Sequence, residues 1–350
     1  MSDQTLGFGF IGAGAIANFH ARAVAAAHGG RLVGVVSRRR STAETFAREH
    51  AIGFASDDVH QLLAQPGLDA VCITTPSALH LEPALAAIRA GKHLMIEKPL
   101  DSTIEGTDHI LDEAEKAGVR VGSIFQARFG DAARQLKATI DAGRFGRMVL
   151  ASCYVKWNRT AEYYTGWKGR ISEDGGGVVI NQAIHGVDLL QWFAGMPVEV
   201  FAWTTRRVHT RIESEDTAVA ALKFASGAFG TIEASTALWP GFSRRIEICG
   251  ENGSAVMEDD DITRWEFRVA QPEDEKIRAT RESGAMGSGA AAPMAIKFEG
   301  HLRQIQDFID GIRERRPFFI EGREARKAVA LVRAVYESAQ SGRPIRPDGA

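Results

Sequence analysis

The sequence has 350 residues, of which 45% are hydrophobic and 25% are charged, and its formal net charge is −2. This length favours two domains over one, and the small net charge supplies no field that would recruit nucleic acid or a membrane surface. No apolar run reaches transmembrane length and no signal-peptide pattern begins the chain, so a cytoplasmic protein is predicted. Cys72, Cys153 and Cys249 lie far apart in apolar runs, which predicts free thiols.

Strand and helix patterns alternate through the first third of the sequence. Apolar runs and helix formers predict strands at 6–11, 31–37, 69–75, 93–98 and 120–126, and helices at 15–27, 41–49, 77–90 and 103–117. This alternation is typical of a parallel sheet covered by helices on both faces. An α/β domain with a doubly wound Rossmann sheet is therefore predicted for residues 1–125.

A glycine-rich turn separates the first strand from the first helix. It reads Gly12-x-Gly14, with Ala17 at the position of a third glycine. In dinucleotide-binding domains the first glycine permits a tight turn, the second lets the backbone approach a pyrophosphate, and the third position needs a small residue. The helix N-terminus offers its N–H groups to the phosphates. Gly12, Gly14, Ala15 and Ile16 are therefore predicted to bind a dinucleotide, and a plain tight turn is the alternative.

The residues after the second strand indicate which dinucleotide binds. Ser37, Arg38 and Arg39 follow this strand, and no acidic residue lies between positions 30 and 42. An acid usually meets the ribose 2′-hydroxyl of NAD at this point, whereas a hydroxyl and guanidinium groups suit the 2′-phosphate of NADP. NADP is therefore the predicted cofactor. NAD is the alternative if the arginines form only a solvated surface cluster.

Two further loops follow the strands that end near positions 75 and 98. Ligands of open α/β sheets bind beyond the carboxyl ends of the strands, so the side chain of Lys98 is predicted to point towards the cofactor. A solvated charge is the alternative for a lysine in a loop. The other residues predicted to line the cofactor site from these strand ends are Thr74, Thr75, Pro76, His80, Glu97 and Gln126.

After position 126 the pattern changes to short strand-like runs divided by glycine, asparagine and aspartate. It predicts a helix at 129–142, strands at 148–157, 198–208, 217–224, 228–236, 244–250, 254–259 and 262–270, and helices at 301–315 and 323–341. The strands predict an open, mostly antiparallel sheet in an α+β domain over residues 126–350, with the closing helices free to pack back on the first domain. Residues 283–293 are of low complexity.

A helical apolar spacing runs through Val178–Ala194. Asn181, His185 and Asp188 fall at i, i+4 and i+7, so they are predicted to share one helix face. Histidine, or a lysine whose pKa is lowered, can take the hydroxyl proton while a hydride leaves a carbinol carbon. Asn181 and Asp188 are predicted to contact the substrate. A structural histidine and a weak metal site are the alternatives, and no metal is predicted.

Aromatic and cationic residues alternate just before that helix. Aromatic faces and cationic donors in one loop suit a polyhydroxyl or anionic sugar, through stacking and hydrogen bonds. An irregular loop with solvated charges is the alternative. The residues of this loop predicted to bind substrate are Tyr163, Trp167, Lys168 and Arg170.

Three motifs, GFIGAGAIA, EKPL and GGGVVINQAIHGVDLLQW, resemble the Gfo/Idh/MocA family of oxidoreductases over nearly the whole chain. The resemblance implies a Rossmann domain joined to an open-sheet domain, whose outer sheet face commonly forms a dimer or tetramer contact. It also implies Lys98 and His185 as the catalytic acid–base residues. The chain departs from the family at Asn181, where many members have aspartate, and at Ala127, where asparagine is usual.

These features together predict an NAD(P)-dependent oxidoreductase that forms a homodimer or homotetramer through the second sheet. It would transfer hydride between the nicotinamide and a carbinol of a sugar, sugar acid or cyclic polyol. A glycosidase that retains NAD and works by oxidation and elimination is one alternative, and a non-catalytic sensor is another. Neither nucleic acid nor a membrane is a predicted partner.

Overall fold

A computed structural model of the chain describes residues 5–280 and 298–349, and the low-complexity segment at 283–293 lies outside these residues. The described residues form two compact units. The first unit comprises the described residues up to Gln126 together with Phe298–Arg326. The second unit comprises residues 127–280 and 327–349. The first closing helix thus belongs to the first unit, although it follows the strands of the second unit in the sequence.

The described residues contain thirteen strands and twelve α-helices. The strands are β1 (Leu6–Ile11), β2 (Gly30–Val36), β3 (Phe54–Ser56), β4 (Ala70–Ile73), β5 (His93–Ile96), β6 (Val121–Ser123), β7 (Met148–Lys156), β8 (Pro197–Thr205), β9 (Thr217–Phe224), β10 (Phe229–Ser235), β11 (Arg245–Gly250), β12 (Gly253–Glu258) and β13 (Asp261–Phe267). The helices are α1 (Ala15–Ala26), α2 (Arg40–Glu49), α3 (Val59–Leu63), α4 (Leu81–Arg89), α5 (Ile104–Ala117), α6 (Asp131–Asp141), α7 (Ile171–Asp174), α8 (Val178–Asn181), α9 (Ile184–Ala194), α10 (Pro272–Thr280), α11 (Phe298–Arg313) and α12 (Gly322–Ser341).

The first unit is built on a parallel sheet of six strands in the order β3-β2-β1-β4-β5-β6. The strand order reverses between β1 and β4, and ligands of doubly wound sheets bind beyond the carboxyl ends of the strands at this point. The predicted Rossmann sheet is thereby confirmed. The sequence pattern missed β3 and α3, because elements of 3 and 5 residues are too short to show a period.

The central strand β1 anchors two helices through its aromatic side chains. Phe8 and Phe10 lie two residues apart, so they share a sheet face, and both are fully buried. The ring centroid of Phe8 lies 6.0 Å from that of Phe308 on α11, and that of Phe10 lies 5.7 Å from that of Phe46 on α2. Burying each such ring contributes about 2–3 kcal/mol. These contacts hold α11 and α2 against the first sheet.

The second unit is built on a sheet of seven strands in the order β13-β12-β11-β7-β10-β9-β8. The β7–β10 pair is parallel and the other neighbouring pairs are antiparallel. This confirms the predicted open, mostly antiparallel sheet. Helix α9 packs on the inner face against β7 and β11. Gly186 of α9 lies so close to β7 that a Cβ there would come within 2.5 Å of Cys153 Sγ.

The outer face of the second sheet carries exposed apolar side chains. Residues alternate between buried and exposed along β9, as expected for a sheet with one face packed on the core. Leu150 of β7 pairs in register with Phe229 of β10, and Trp203 of β8 pairs with Val219 of β9. These four side chains are 43–61% exposed. The two pairs lie four residues apart along the strands, since Phe229 pairs with Lys223 of β9 and Val219 pairs with Glu233 of β10. We call this exposed side of the sheet the outer sheet face.

The structure also describes two features that bear on the predictions from composition, the state of the cysteines and the apolarity of the helices. All three cysteines are free thiols, as predicted, and Cys72 and Cys153 are buried. Within residues 5–280 and 298–349, no helix combines the length and the apolarity required to cross a bilayer.

Candidate active site

The turn after β1 has a backbone conformation that requires glycine at position 12. Gly12 has a φ of +106°, and a Cβ on it would lie 2.7 Å from the carbonyl oxygen of Thr74. Its N–H donates to the Val36 carbonyl at 2.9 Å, and Thr74 Oγ1 donates to the Gly12 carbonyl at 3.0 Å. The turn therefore lies tightly against the ends of both neighbouring strands, β2 and β4.

The next glycine stands beside open space rather than in a crowded turn. Gly14 is the N-cap of α1, with φ −82° and ψ −179°, a conformation open to any residue. A Cβ at Gly14 would have no described atom within 4 Å outside its chain neighbours. Within the described chain no side chain caps α1, and its first turn contains no acidic residue. The N–H groups of Ala15 and Ile16 thus begin a helix whose positive end is left for an external anion.

These features fit a dinucleotide pyrophosphate. Ala17 is fully buried at the third motif position, where a small side chain lets α1 pack on the sheet. At the end of β2, Ser37 is partly buried, whereas Arg38 and Arg39 are exposed. Arg40 begins α2 and its Nε lies 3.1 Å from Glu44 Oε1. The positions that usually read the ribose of a dinucleotide thus carry one hydroxyl and two exposed guanidinium groups.

His80 was predicted to contact the cofactor, and the structure instead places it in the interior. Its side chain is fully buried, with Nδ1 2.9 Å from the Pro99 carbonyl and Nε2 3.1 Å from the Thr75 carbonyl. Burial lowers the pKa of His80, against the opposing effect of these carbonyls. His80 therefore ties together the loops that follow β4 and β5. Pro76 lies at the surface of the same loop, partly exposed.

Glu97 is also an internal residue, and it anchors the loop that carries Lys98. Glu97 Oε1 lies 2.6 Å from His20 Nε2, and Glu97 Oε2 accepts from the Lys98 N–H at 3.1 Å. Burial alone would raise the pKa of Glu97, but the hydrogen bond from His20 and the nearby positive charges hold it at about 2. The Lys98 side chain is partly exposed at the carboxyl end of β5. Gln126, also partly exposed, is the last residue of this stretch of the first unit.

The group formed by His20, Glu97 and His301 has the composition of a metal site. Their ligand atoms all lie within 4.8 Å of one another. However, His20 and Glu97 are 2.6 Å apart, whereas two ligands of one tetrahedral zinc ion lie about 3 Å or more apart. The short distance is that of a charge-assisted hydrogen bond. The group therefore serves to hold Glu97.

In the second unit, the single helix predicted at 178–194 is two helices. Helix α8 ends at Asn181 and α9 begins at Ile184, so Asn181 and His185 lie on separate helices. The prediction of one continuous face was wrong, because apolar spacing continues across the break and conceals it. Both Asn181 and His185 are partly exposed. Asn181 Nδ2 donates to a carboxylate oxygen of Asp174, whose other oxygen accepts from the Gly169 N–H at 2.8 Å.

This contact changes what is concluded from asparagine at position 181. The sequence predicted that a carboxylate was missing there, but Asp174, at the end of α7, supplies one in direct contact with Asn181. Asp174 is 2% exposed. Sequence reasoning overlooked Asp174, although it lies seven residues before Asn181 and just before the glycine triplet.

Asp188 was predicted to bind substrate, and its contacts oppose that prediction. It is fully buried, and its two oxygens accept from Arg128 Nε at 2.7 Å and Arg128 Nη2 at 2.6 Å. Gln191 Nε2 also lies 3.2 Å from one of these oxygens. A buried carboxylate used in this bidentate way has its acceptor sites occupied by the protein. Its contacts make Asp188 an internal anchor of α9.

The loop before α7 brings the predicted aromatic and cationic residues together. Lys168 Nζ lies 2.7 Å from the Tyr163 hydroxyl and 5.5 Å from the Trp167 ring centroid. The Gln182 amide donates to the same hydroxyl at 3.0 Å, and the Arg159 guanidinium lies 5.2 Å from the Tyr163 ring centroid. We call these five residues the Tyr163 cluster. It places two cations and an amide around aromatic rings.

Two of its members were not singled out by the sequence. Arg159 and Gln182 are both buried and polar, which is the combination that most often marks a network or a site. Arg170, by contrast, was predicted to bind substrate but lies exposed, with Nη1 3.7 Å from Glu173. It stands outside the Tyr163 cluster.

Both units match models of known families. Residues 6–125 match the oxidoreductase family with an NAD-binding Rossmann fold, and residues 133–256 match the GFO/IDH/MocA C-terminal domain. The chain belongs to the Gfo/Idh/MocA family of oxidoreductases. The family predicted from the three sequence motifs is thus confirmed, together with the dinucleotide-binding Rossmann fold of the first unit.

Individual proteins resemble between 63% and 99% of the chain. A 1,5-anhydro-D-fructose reductase from Ensifer adhaerens is 33% identical over 221 residues, which are 63% of this chain and 66% of the reductase. A myo-inositol 2-dehydrogenase from Thermotoga maritima is 26% identical over 345 residues, 97% of each chain. Among solved structures, the WlbA dehydrogenase from Bordetella pertussis, in complex with NADH and UDP-GlcNAcA, is 32% identical with a TM-score of 0.88. That match covers 99% of this chain and 98% of the dehydrogenase.

The family and these relatives settle the class of reaction. They are dehydrogenases and reductases that act on the hydroxyl groups of sugars and polyols. The predicted enzyme class, an oxidoreductase acting on CH–OH groups, is therefore confirmed.

Proposed function

We propose that this enzyme oxidises a carbinol of a sugar acid with NADP+, or reduces the corresponding carbonyl with NADPH. The observation that carries the substrate class is the Tyr163 cluster, in which Arg159 and Lys168 place two cations beside aromatic rings. Cations recognise a carboxylate, and aromatic faces stack on sugar rings. The similarity to a dehydrogenase solved with UDP-GlcNAcA, a nucleotide-linked sugar acid, supports the same class. Neutral sugars and cyclic polyols are the competing substrates.

The cofactor preference rests on Ser37, Arg38 and Arg39. Arg38 and Arg39 are exposed at the end of β2, next to the turn that fits a pyrophosphate. A 2′-phosphate would take bidentate hydrogen bonds from such guanidinium groups. The related WlbA dehydrogenase was solved with NADH, so preference for NAD(H) is the competing outcome.

In this proposal Lys98 and His185 exchange the proton of the reacting hydroxyl. When bound, the nicotinamide supplies the hydride acceptor or donor. The hydrogen bond that the Lys98 N–H donates to Glu97 holds the loop that carries Lys98. In the second unit, the Asp174–Asn181 pair and the Tyr163 cluster orient the sugar. We further propose that Asp188 and His80 act through packing, as the bonds described above support.

The first experiment measures thermal stabilisation with NAD, NADH, NADP and NADPH separately, followed by turnover of UDP-GlcNAcA, free glucuronate and myo-inositol. A ligand that binds only the folded protein raises the melting temperature. We expect the largest shift with NADPH and the highest kcat/KM with an acidic sugar. A larger shift with NADH would overturn the cofactor preference, and faster turnover of myo-inositol would overturn the substrate class. Release of a sugar without net cofactor reduction would instead indicate a glycosidase.

The proton-transfer role is tested with Lys98→Met. We expect kcat to fall by about 10³-fold, in the range for loss of a general acid–base group, while NADPH affinity stays within about twofold. Lys116→Met removes an exposed lysine of α5 as the matched control. Loss of NADPH binding in Lys98→Met would mean that Lys98 is a cofactor contact and not the acid–base group.

We also propose that the outer sheet face joins copies of this chain. Exposed large apolar side chains on one sheet face, rimmed by polar residues such as Lys223 and Glu233, are typical of association sites on proteins. Trp203, 61% exposed, and Phe229, 58% exposed, are its largest side chains. Light scattering of the wild type and of Trp203→Glu tests this. A dimer or tetramer that dissociates in the variant supports the proposal, and a monomeric wild type overturns it.

A further inference from the structure

The glycine triplet Gly175–Gly177 contributes no side chain to the candidate active site. The contacts around it explain why glycine is required at these three positions. Gly175 ends α7 with a φ of +79°. A Cβ on Gly176 would lie 2.5 Å from the hydroxyl oxygen of Tyr336, and one on Gly177 would lie 1.9 Å from the Glu215 carbonyl oxygen. The triplet therefore lets Tyr336 and Glu215 approach the backbone directly.

These two residues bind the N–H groups at the beginning of α8. Glu215 Oε2 accepts from the Gly177 N–H, and Oε1 accepts from the Val179 N–H, each at 3.0 Å. The Glu215 carbonyl accepts from the Val178 N–H at 3.1 Å. The Tyr336 hydroxyl lies 3.2 Å from the N–H groups of Gly177 and Ile180. The four successive N–H groups of residues 177–180 thus donate to Glu215 or Tyr336.

The same two side chains are bonded to each other. The Tyr336 hydroxyl donates to Glu215 Oε1 at 2.9 Å. Arg333 lies one turn earlier on α12, with its guanidinium 5.6 Å from the Tyr336 ring centroid. Glu215 comes from the residue pair just before β9, and Tyr336 comes from α12. Residues 121 positions apart therefore meet at the start of α8.

Helix α8 has 4 residues, too few to hold a helical turn by itself. Its last residue is Asn181, and Gln182 follows directly, so the bonds at its start determine where both amides lie. Asn181 meets Asp174 and Gln182 meets Tyr163, which are the contacts assigned to substrate orientation above. A change at Glu215 would thus reach the substrate contacts through α8.

We propose that Glu215, together with Tyr336, is a positioning residue that sets α8 and thereby the substrate contacts of Asn181 and Gln182. This proposal rests on the proposed function of the Tyr163 cluster. The ionised carboxylate is the form that matches its surroundings, since its two oxygens face three donors. The lone pairs of the Tyr336 hydroxyl face two backbone N–H groups, so a proton on Glu215 would have no acceptor there.

Protonation of Glu215 should therefore loosen α8 within an accessible pH range. Burial raises the pKa of Glu215 to about 7, although the bonds from Val179, Tyr336 and Gly177 act to lower it. Tyr336 donates to this carboxyl, and Arg333 lies 5.6 Å from the Tyr336 ring centroid. Asp216, the next residue along the chain, is buried, and its carboxylate accepts from the N–H groups of Arg207 and Val208. Acidification from pH 8 to pH 6 should then mimic the loss of the carboxylate.

The test compares Glu215→Gln and Tyr336→Phe with Glu337→Gln, which removes an exposed carboxylate next to Tyr336 on α12. Titration calorimetry measures UDP-GlcNAcA binding to the NADPH-loaded full-length protein at pH 8 and pH 6. Hydrogen exchange of the amides at 177–180 reports on α8 directly. We expect Glu215→Gln to weaken UDP-GlcNAcA binding about tenfold or more at pH 8, as for loss of a bond to a charged group. We expect the 177–180 amides to exchange faster by a similar factor.

Tyr336→Phe should show the same changes to a smaller extent, and NADPH affinity should stay within about twofold in every variant. The wild type should bind UDP-GlcNAcA more weakly at pH 6 than at pH 8. The affinity of Glu215→Gln for UDP-GlcNAcA should be the same at both pH values. Unchanged amide exchange in both variants, or unchanged UDP-GlcNAcA affinity, would overturn the proposal. A wild type that does not bind UDP-GlcNAcA would refute the proposed substrate instead, and the amide exchange would still decide whether Glu215 holds α8.

Discussion

The chain contains two glycine-rich turns that each lead into a helix, and they are used in opposite ways. The turn at Gly12–Gly14 leaves the start of α1 without a cap and with open space beside Gly14. The turn at Gly175–Gly177 leads into α8, where Glu215 and Tyr336 occupy the N–H groups. No described side chain caps the start of α1, whereas the start of α8 is satisfied by the chain's own carboxylate.

This difference shows that glycine spacing alone does not identify a ligand site. Both turns need glycine because something approaches the backbone closely. What approaches differs, because Glu215 lies against the second turn, whereas Thr74 lies against Gly12 and the space beside Gly14 is open. The acid that neutralises a helix start is the feature that separates an internal contact from a binding site.

The largest effect should come from Gly177→Ala, which crowds the filled turn. The new Cβ would meet the Glu215 carbonyl oxygen at 1.9 Å, so backbone must move. We expect the free energy of unfolding to fall by about 3 kcal/mol or more, as in overpacked interiors, measured by urea denaturation. Gly53→Ala, where a Cβ meets no described atom within 4 Å, is the control. Equal midpoints for the two variants would mean that the triplet is not held as described.

The converse change, Gly14→Asp, gives the open turn a carboxylate of its own. The backbone at Gly14 accepts any residue, and aspartate is a favourable N-cap, so stability should be kept or rise by up to about 1 kcal/mol. The carboxylate would repel and displace the pyrophosphate. We expect NADPH affinity to fall by about 100-fold, measured by fluorescence titration. Gly14→Ser separates the effect of charge from that of bulk. If Gly14→Asp binds NADPH as well as the wild type does, the pyrophosphate does not lie at this turn.

The filled turn should also give global stability a pH dependence of its own. The pKa of Glu215 is raised from 4.5 to about 7 in the folded protein, so this group contributes stability below pH 4.5 that is lost as the pH rises through 7. Glu215→Gln cannot titrate. We expect the wild type to lose roughly 2 kcal/mol relative to Glu215→Gln between pH 5 and pH 8. Parallel stability curves would show that Glu215 does not titrate in this range.

This trend is opposite to the expected trend in substrate affinity. Acidification relieves the cost of burying a charge and so stabilises the fold, yet it removes the acceptor that orders α8. A single experiment across this pH range therefore separates global stability from local positioning at Glu215.

The smallest effect should be on cofactor choice at the open turn. Arg38→Ala combined with Arg39→Ala removes two exposed guanidinium groups after β2. We expect the ratio of NADPH to NADH affinity to fall by about tenfold, with little change in NADH binding alone. Arg211→Ala, at another exposed arginine, serves as the control. A wild type that already prefers NADH would remove the basis for this expectation.

Much of the first unit could be predicted because its signals are local in sequence. Buried strands, helix-forming runs and the glycine turn each span fewer than 20 residues, and their order implies a parallel sheet. The strands of the second unit could be predicted equally well, because residues alternate between buried and exposed positions along strands such as β9. The break between α8 and α9 was missed, since it depends on bonds from Glu215 and Tyr336 rather than on apolar spacing.

The sequence by itself determined the fold class, the family and the turn that fits a dinucleotide, because periodicity and glycine spacing act over short stretches. Only the tertiary structure decided which polar residues are internal. Asp188 meets Arg128 from 60 residues away, and Glu215 meets Tyr336 from 121 residues away. A buried polar group must find a partner wherever the fold provides one. A short stretch of sequence does not identify a partner so far away in the chain. The roles of such residues could therefore be assigned only from the tertiary structure.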